Sequence, residues 1–111
     1  MREARQRIVD MLQAINKIQS HAGLNEAQFR TDEVLQGFVA YQLMILGEAA
    51  FKMPQNVRAR FPEIPWKSIE GMRHVLVHGY FSIDLDSIWG VVQRDLPVLK
   101  PRLEHILIEL Q

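Results

Sequence analysis

The apolar residues of this chain recur at steps of three and four, which is the spacing of one face of an α-helix. In the first twenty residues they form a single stripe, made of Ile8, Met11, Leu12, Ile15 and Ile18. The pattern predicts an amphipathic helix from residue 2 to about residue 21. Most of the basic residues of this segment, including Arg7, lie outside the stripe, and we expect them to be solvated.

A second predicted helix is longer and more apolar than the first. Thr31 or Asp32 caps it, because such side chains accept hydrogen bonds from the first turn, and it runs through about residue 52. Its apolar residues cover more than one stripe, so two faces should be covered, one by the bundle and the other by a second subunit. Three small residues on it would let another helix approach closely: Gly47, Ala49 and Ala50.

Prolines and potential caps divide the second half of the chain into shorter helices. Pro54 opens one helix, and Pro65 opens another that runs to about His78. Asp84 caps a further helix, and Pro97 breaks or kinks the pattern before a last apolar helix. No strand pattern or internal repeat appears. The predicted fold class is therefore all-α, an up-and-down bundle of four or five helices.

Composition narrows the class of protein and its partners. The 111 residues suit one domain, 1–111, with its own core. With 13 basic and 13 acidic residues the net charge is zero, so any contact with RNA must depend on a local patch. The absence of cysteine excludes disulfides, thiolate metal sites and cysteine nucleophiles. No apolar run approaches the length of a membrane span and no signal core follows the N-terminus, so we expect a cytoplasmic protein without membrane contact.

Candidate chemistry is concentrated between Arg73 and Tyr80, where polar side chains interrupt an apolar helical background. The arginine fork fits a phosphate, and His78 can exchange a proton near neutral pH, which together suit phosphate ester chemistry or anion binding. An isolated arginine and histidine on a helix are more often surface or interface residues than catalysts. Five helical steps rotate about 140° and rise about 7.5 Å, so Arg73 and His78 do not share one face of a regular helix. Either the helix ends near His78 and turns the ring round, or a symmetric dimer brings two copies of the motif into one cleft.

Longer segments of the chain resemble HepT-like toxins of the HEPN superfamily. In order they are residues 47–50 (Gly-Glu-Ala-Ala), 58–66 (ending in Phe-Pro-Glu-Ile-Pro-Trp), 71–80 (Gly-Met-Arg-His-Val-Leu-Val-His-Gly-Tyr), 83–85 (Ile-Asp-Leu) and Trp89. The Arg-x4-His spacing alone is a weak signal, whereas these pieces in order, over nearly the whole chain, are a strong one. The position after the motif arginine, usually Asn in close relatives, is His74 here.

This resemblance implies an HEPN-like homodimeric ribonuclease that uses no metal or other cofactor, with Arg73 and His78 as its functional pair. It also implies a nucleotidyltransferase antitoxin that transfers AMP to the tyrosine matching Tyr80 and so silences the toxin. RNA carries its own nucleophile, the 2′-hydroxyl. His78 would act as general base or general acid, and Arg73 would stabilise the growing charge on the phosphate.

Two further residues are possible supports of the site, and each has a simpler interpretation. His74 either contacts RNA or is an exposed helical histidine. Glu48 either supports the chemistry or, as we prefer, is a helix carboxylate paired with an arginine. Tyr80 could stack on a base or pack the end of its helix. A second hypothesis for function stays open beside the ribonuclease toxin, namely a non-catalytic HEPN module that binds RNA or a nucleotidyltransferase.

Overall fold

The computed structural model describes residues 2–21, 25–74 and 84–110, and its regular structure there is entirely helical. The three longest helices are α1 (Arg2–His21), α3 (Glu33–Phe51) and α7 (Leu96–Glu109). The shorter ones are α2 (Glu26–Thr31), α4 (Gln55–Arg60), α5 (Trp66–Glu70) and α6 (Leu85–Gly90). A 3₁₀ turn (Gly71–His74) continues α5, and a π-helical segment (Val91–Asp95) joins α6 to α7. The all-α prediction is confirmed, because every regular element of the described residues is a helix. The main elements of the bundle are α1, α3, α5 with its 3₁₀ turn, and the continuous stretch from α6 to α7.

Side-chain caps begin three of these helices at the positions where the sequence places Asn or Asp. The side-chain oxygens of Asn25, Asp32 and Asp84 each accept a hydrogen bond from the backbone N–H three residues on, at 3.0–3.1 Å. Each bond satisfies a donor that the first helical turn leaves without an intrahelical partner. Of the two candidate caps for α3, the structure selects Asp32, because the Thr31 hydroxyl donates instead to a backbone carbonyl of α2 at 3.0 Å.

Helix α3 packs against α1, against α5 and against the 3₁₀ turn, while α1 also packs against α7. The predicted stripe of α1 faces this core: Ile8, Met11, Ile15 and Ile18 are fully buried, and Leu12 is partly buried. The large fully buried side chains that α3 and α7 add to this core are Val39, Leu43, Leu46, Leu96, Leu103 and Ile106. Burial of this apolar surface is the main force that holds the elements together.

The expectation that no apolar run approaches the length of a membrane span is corrected by α3. Its 19 residues and mean hydropathy of 1.4 meet the length and composition of such a span. Core helices of soluble proteins meet the same criteria, so this is weak evidence for a membrane. We interpret α3 as a core helix because it packs on α1, α5 and the 3₁₀ turn.

The helix predicted from Pro65 to about His78 differs from the structure. It is α-helical only to Glu70 and then winds into the 3₁₀ turn Gly71–His74. Residues 75–83, which include His78 and Tyr80, lie outside the described residues. A 3₁₀ turn is narrower than an α-helix, and this one brings its backbone directly onto α3.

The irregularity predicted at Pro97 lies one turn earlier than expected. The N–H of Leu96 bonds to the carbonyl of Val91, five residues back, which gives the wider π-helical winding. Proline cannot donate a backbone hydrogen bond, and the π turn immediately before Pro97 takes up the disturbance. Helix α7 then continues to Glu109 with a second proline, Pro101, inside it.

Candidate functional site

A cleft of about 520 Å³ lies where α1, α3 and the 3₁₀ turn meet. Apolar side chains of α3 and charged side chains of all three elements line it: Arg7, Asp10, Met44, Ile45, Glu48, Ala49, Lys52, Arg73 and His74. The volume is within the range of small-molecule and nucleotide sites. The cleft therefore brings together three of the residues singled out in the sequence, namely Glu48, Arg73 and His74.

The backbone of Arg73 is held in this cleft by its close approach to Gly47 of α3. A Cβ atom on Gly47 would lie 2.4 Å from the backbone nitrogen of Arg73 and 2.8 Å from the carbonyl oxygen of Ile69. Only glycine can occupy such a position, because side-chain carbons do not approach backbone atoms so closely. The expectation that a small residue here admits a close neighbour is correct, and the neighbour is the segment that carries Arg73.

The side chain of Arg73 lies on the last residue of α3. Its guanidinium carbon is 3.5 Å from the centroid of the Phe51 ring, which is a close cation–π contact. On the same side chain, Nε donates to Nε2 of His74 at 3.4 Å. Backbone and side chain of Arg73 are thus fixed by different residues of α3, Gly47 and Phe51.

The other charges of the cleft are arranged as ion pairs within one helix each. Arg7 lies 3.7 Å from Asp10 on α1, and Lys52 lies 3.8 Å from Glu48 on α3. Both distances are too long for a hydrogen bond, and pairs of this kind contribute little to stability. Glu48 therefore pairs with a lysine rather than with the arginine expected from the sequence, because Lys52 is its i+4 neighbour on the same helix face.

The charge balance of the cleft favours an anionic ligand. Its three permanent cations, Arg7, Lys52 and Arg73, face two carboxylates, Asp10 and Glu48. Among the lining residues the difference is one positive charge before any contribution from His74; Glu3, which does not line the cleft, lies 3.9 Å from Arg7. Within the described residues Arg73 forms no ion pair with a carboxylate, so the surplus is at Arg73.

A partly buried ion pair anchors the segment that leads to Arg73. Nη1 of Arg58 on α4 donates to Glu70 at the end of α5 at 2.9 Å, and the side chains are 15% and 23% exposed. Next to this pair, Nε1 of the buried Trp66 donates to the carbonyl of Phe61 at 3.0 Å. These contacts fix α5 immediately before the 3₁₀ turn.

The sequence identified Arg73, His74 and Glu48 but missed Arg7, Asp10, Phe51 and Lys52 as neighbours of the site. Arg7 was expected to be solvated, yet its side chain is only 28% exposed and forms part of the cleft wall. Arg7 is not solvated as expected because of tertiary packing. It lies on the side of α1 next to the apolar stripe, and this side faces α3 across the cleft. The one available signal was the Gly-Glu-Ala-Ala segment, which marks where α3 meets another element.

No group of three or more His, Cys, Asp or Glu among residues 2–21, 25–74 and 84–110 could hold a metal ion. The positions of His78 and Tyr80 relative to Arg73 lie outside the described residues. The described part of the site is thus a cleft with more basic than acidic lining residues and with a fixed arginine.

Comparisons with known proteins give consistent results. The family model of HepT-like ribonucleases matches residues 11–106. A Methanocaldococcus jannaschii protein provisionally named RNase MJ1380 is 31% identical over 106 residues, which are 95% of this chain and 97% of that protein. A Thermococcus cleftensis protein named as a probable ribonuclease HepT is 37% identical over 78 residues, 70% of this chain and 71% of its own length.

A further relative from Methanocaldococcus jannaschii, MJ0434, is longer. It is named as a gamma-glutamylcyclotransferase and, provisionally, an RNase, and it is 36% identical over 101 residues. The match covers 90% of this chain but 46% of that protein, so the chain spans about half its length. No solved structure matches the chain significantly.

Proposed function

Because the chain belongs to the HepT-like ribonuclease family, we propose that it is a ribonuclease whose cleft binds the RNA backbone through Arg73. The observation that carries this proposal is the fixed arginine at the wall of a cleft with surplus positive charge. Arginine binds a phosphate through two parallel N–H donors, which matches the backbone group that all RNA shares.

The proposed reaction uses the 2′-hydroxyl of RNA as the nucleophile. Its oxygen attacks the adjacent phosphorus, the bond from phosphorus to the 5′-oxygen breaks, and the products are a 2′,3′-cyclic phosphate and a 5′-hydroxyl. Arg73 stabilises the negative charge that grows on the phosphate oxygens. His78 takes the proton from the 2′-hydroxyl or gives one to the leaving 5′-oxygen. No metal or cofactor is required, since both proton transfer and charge stabilisation come from side chains.

We further propose that the active form is a homodimer that uses the outer face of α3. Two side chains on that face are unusually exposed for apolar residues: Val34 is 83% exposed and Tyr41 is 50% exposed. A two-fold axis beside α3 would bury both on each protomer and would explain the apolar coverage of more than one face. Two copies of His78 at such an interface could divide the acid and base roles.

The toxin role and its control are also part of the proposal. In the cytoplasm a nucleotidyltransferase antitoxin would use ATP, with the hydroxyl oxygen of Tyr80 attacking the α-phosphorus and pyrophosphate leaving. Tyr80 is two residues from His78 along the chain. AMP on Tyr80 would bring a phosphate and a base next to Arg73. Both groups would compete with RNA for the cleft, so the modification should silence cleavage.

The decisive experiment is RNA cleavage by the purified protein in the presence of EDTA. Arg73→Ala and His78→Ala should each remove most activity, while their circular dichroism stays that of the wild type. His105→Ala is the matched control for the histidine, because His105 is exposed on α7 and 65% of its side chain is accessible. Arg94→Ala, at a side chain 79% exposed and outside this cleft, is the control for the arginine.

The results separate the two hypotheses for function. Chelator-resistant cleavage that depends on Arg73 and His78 supports the ribonuclease. Binding of RNA without cleavage by the dimer would instead favour the non-catalytic HEPN module. Cleavage of RNA whose scissile 2′-hydroxyl is replaced by hydrogen would contradict the proposed nucleophile.

The modification is tested by Tyr80→Phe, which keeps the ring and removes the acceptor oxygen. A cognate nucleotidyltransferase with ATP should label the wild type and Tyr41→Phe but not Tyr80→Phe. Tyr41 is a fitting control because it is the other of the two tyrosines and is half-exposed. Mass spectrometry that places AMP on Tyr41 would refute the assignment to Tyr80.

A further inference from the structure

Phe51 is a large apolar residue at the end of α3 that is 47% exposed. Leaving that much aromatic surface in water is unfavourable, and Phe51 is not among the buried residues of the core. Among the residues that the structure describes, the ring of Phe51 contacts Arg73, at 3.5 Å from ring centroid to guanidinium carbon. The position of Phe51 is therefore better explained by Arg73 than by packing.

The distance determines how the two groups are oriented. At 3.5 Å the guanidinium must lie nearly flat on the ring, because an edge-on arrangement would push a nitrogen into the ring, closer than van der Waals contact permits. Arginine stacks in this way through its flat face, while all of its N–H donors lie in its plane. Stacking thus fixes the orientation of the group without using any donor.

The donors that remain are those suited to a phosphate. Nε is directed to Nε2 of His74 at 3.4 Å. Within the described part of the chain, Nη1 and Nη2 of Arg73 have no hydrogen-bond partner. These two nitrogens form the end of the guanidinium fork, which binds two oxygens of one phosphate group.

We propose that Phe51 is a positioning residue, which holds the guanidinium of Arg73 flat so that Nη1 and Nη2 face a phosphate of the substrate RNA. This inference depends on the proposed ribonuclease function for the identity of the ligand. Without the ring, the long arginine side chain has many accessible rotamers, and confining it to one of them costs free energy at the moment of binding or reaction. Phe51 reduces that cost because the side chain is already confined in the free protein.

The first experiment compares Phe51→Leu, which removes the ring, with Phe51→Tyr, which retains it. We expect kcat/KM for RNA cleavage to fall about 3-fold to 10-fold in Phe51→Leu, the range of a cation–π contact at a partly exposed site. Phe51→Tyr should remain within about 2-fold of the wild type, because a phenol ring offers the same face. Ile108→Ala is the control for loss of an exposed apolar side chain, since Ile108 is 66% exposed and does not line the cleft.

A second readout does not depend on cleavage. Aromatic ring currents shift the NMR resonances of protons above the ring upfield, so the Arg73 Nε–H resonance should lose such a shift in Phe51→Leu and keep it in Phe51→Tyr. The same resonance can be used to monitor a titration with inorganic phosphate. The affinity for phosphate should fall in Phe51→Leu by about the same factor as kcat/KM.

The outcomes distinguish this inference from the proposed function. If the wild type cleaves RNA and Phe51→Leu cleaves equally well, the positioning role is refuted while the ribonuclease stands. If the wild type does not cleave, the ribonuclease is refuted, and the phosphate titration alone decides whether Phe51 positions Arg73 for an anion. An Arg73 resonance without an upfield shift in the wild type overturns the inference in either case.

Discussion

Gly47→Ala is the substitution that tests most directly how the structure holds Arg73. The added methyl group would meet three backbone atoms of the neighbouring segment: Arg73 N at 2.4 Å, Ile69 O at 2.8 Å and Met72 C at 3.0 Å. Backbone atoms cannot move aside as the end of a flexible side chain can. The 3₁₀ turn must therefore shift away from α3, or α3 must bend.

Two effects of this substitution oppose each other. Alanine in a helix interior is favoured over glycine by about 0.5–1 kcal/mol. Overpacking against well-packed neighbours costs about 1–3 kcal/mol, and contacts with backbone place this case toward the upper end. We therefore expect Gly47→Ala to lower the free energy of unfolding by about 1–2 kcal/mol, so the steric cost exceeds the gain in helix propensity.

Gly37→Ala is a matched control on the same helix. A Cβ atom at Gly37 would have no heavy atom within 4 Å, so only the gain in propensity applies. Urea unfolding should show Gly37→Ala as stable as the wild type or more stable by up to about 1 kcal/mol. If Gly47→Ala were stabilised to the same degree, the conclusion that the backbone of Arg73 lies directly against Gly47 would be refuted.

The same variant should also impair cleavage. Displacing a group that contacts the reacting phosphate by about 1 Å can lower the rate about 100-fold. Gly47→Ala should thus lose activity at temperatures where it is still folded, whereas Gly37→Ala should not.

Three further predictions concern other contacts. Arg58→Ala should lower the free energy of unfolding by about 1–2 kcal/mol in urea titrations, because it leaves the partly buried carboxylate of Glu70 unpaired, whereas the exposed control Arg94→Ala should change it by less than about 0.5 kcal/mol. Tyr41→Glu should convert the proposed dimer to a monomer in light scattering without loss of helical circular dichroism, and a variant with a dimeric mass would exclude this face of α3 from the interface. Hydrogen bonds from the Ser87 hydroxyl and N–H lower the pKa of Asp84 below its usual 3.8, so its contribution to stability is complete above that pH and is lost as the pH falls through the lowered value. Thermal unfolding between about pH 2 and about pH 6 should therefore depend less on pH in Asp84→Asn than in the wild type.

The parts of the fold that could be predicted are those set by local sequence. The stripe of α1 depends only on helical periodicity, and the caps at Asp32 and Asp84 depend on side chains that reach three residues ahead. Both signals are complete within one segment, and the structure confirms them. The end of α5 at Glu70 was missed, although Gly71, a residue type common at helix ends, follows it directly and caps the helix. What the sequence does not show is that the chain beyond Gly71 continues as a 3₁₀ turn packed on Gly47.

The candidate site was predictable only where one segment carries it. Arg73 and His74 were identified because they are adjacent to each other in a recognisable motif. Arg7 comes from more than sixty positions earlier in the chain, and no local pattern relates it to Arg73. Phe51 is one more apolar position of α3 in the sequence, and only the structure shows that it is half-exposed and stacks with the guanidinium of Arg73.

The geometry of α3 connects assembly to the site. Successive residues of an α-helix turn by about 100°, so positions 34, 41, 45, 48 and 52 lie within about 60° of one another around the axis. The first two carry the exposed side chains Val34 and Tyr41, and the last three line the cleft. The face that a second protomer would cover is therefore continuous with the cleft wall, and a dimer formed through it would place each cleft at the subunit boundary. If this holds, Tyr41→Glu should reduce cleavage although Arg73, Gly47 and Phe51 are unchanged, and a monomeric Tyr41→Glu with full activity would show that one protomer contains a complete site.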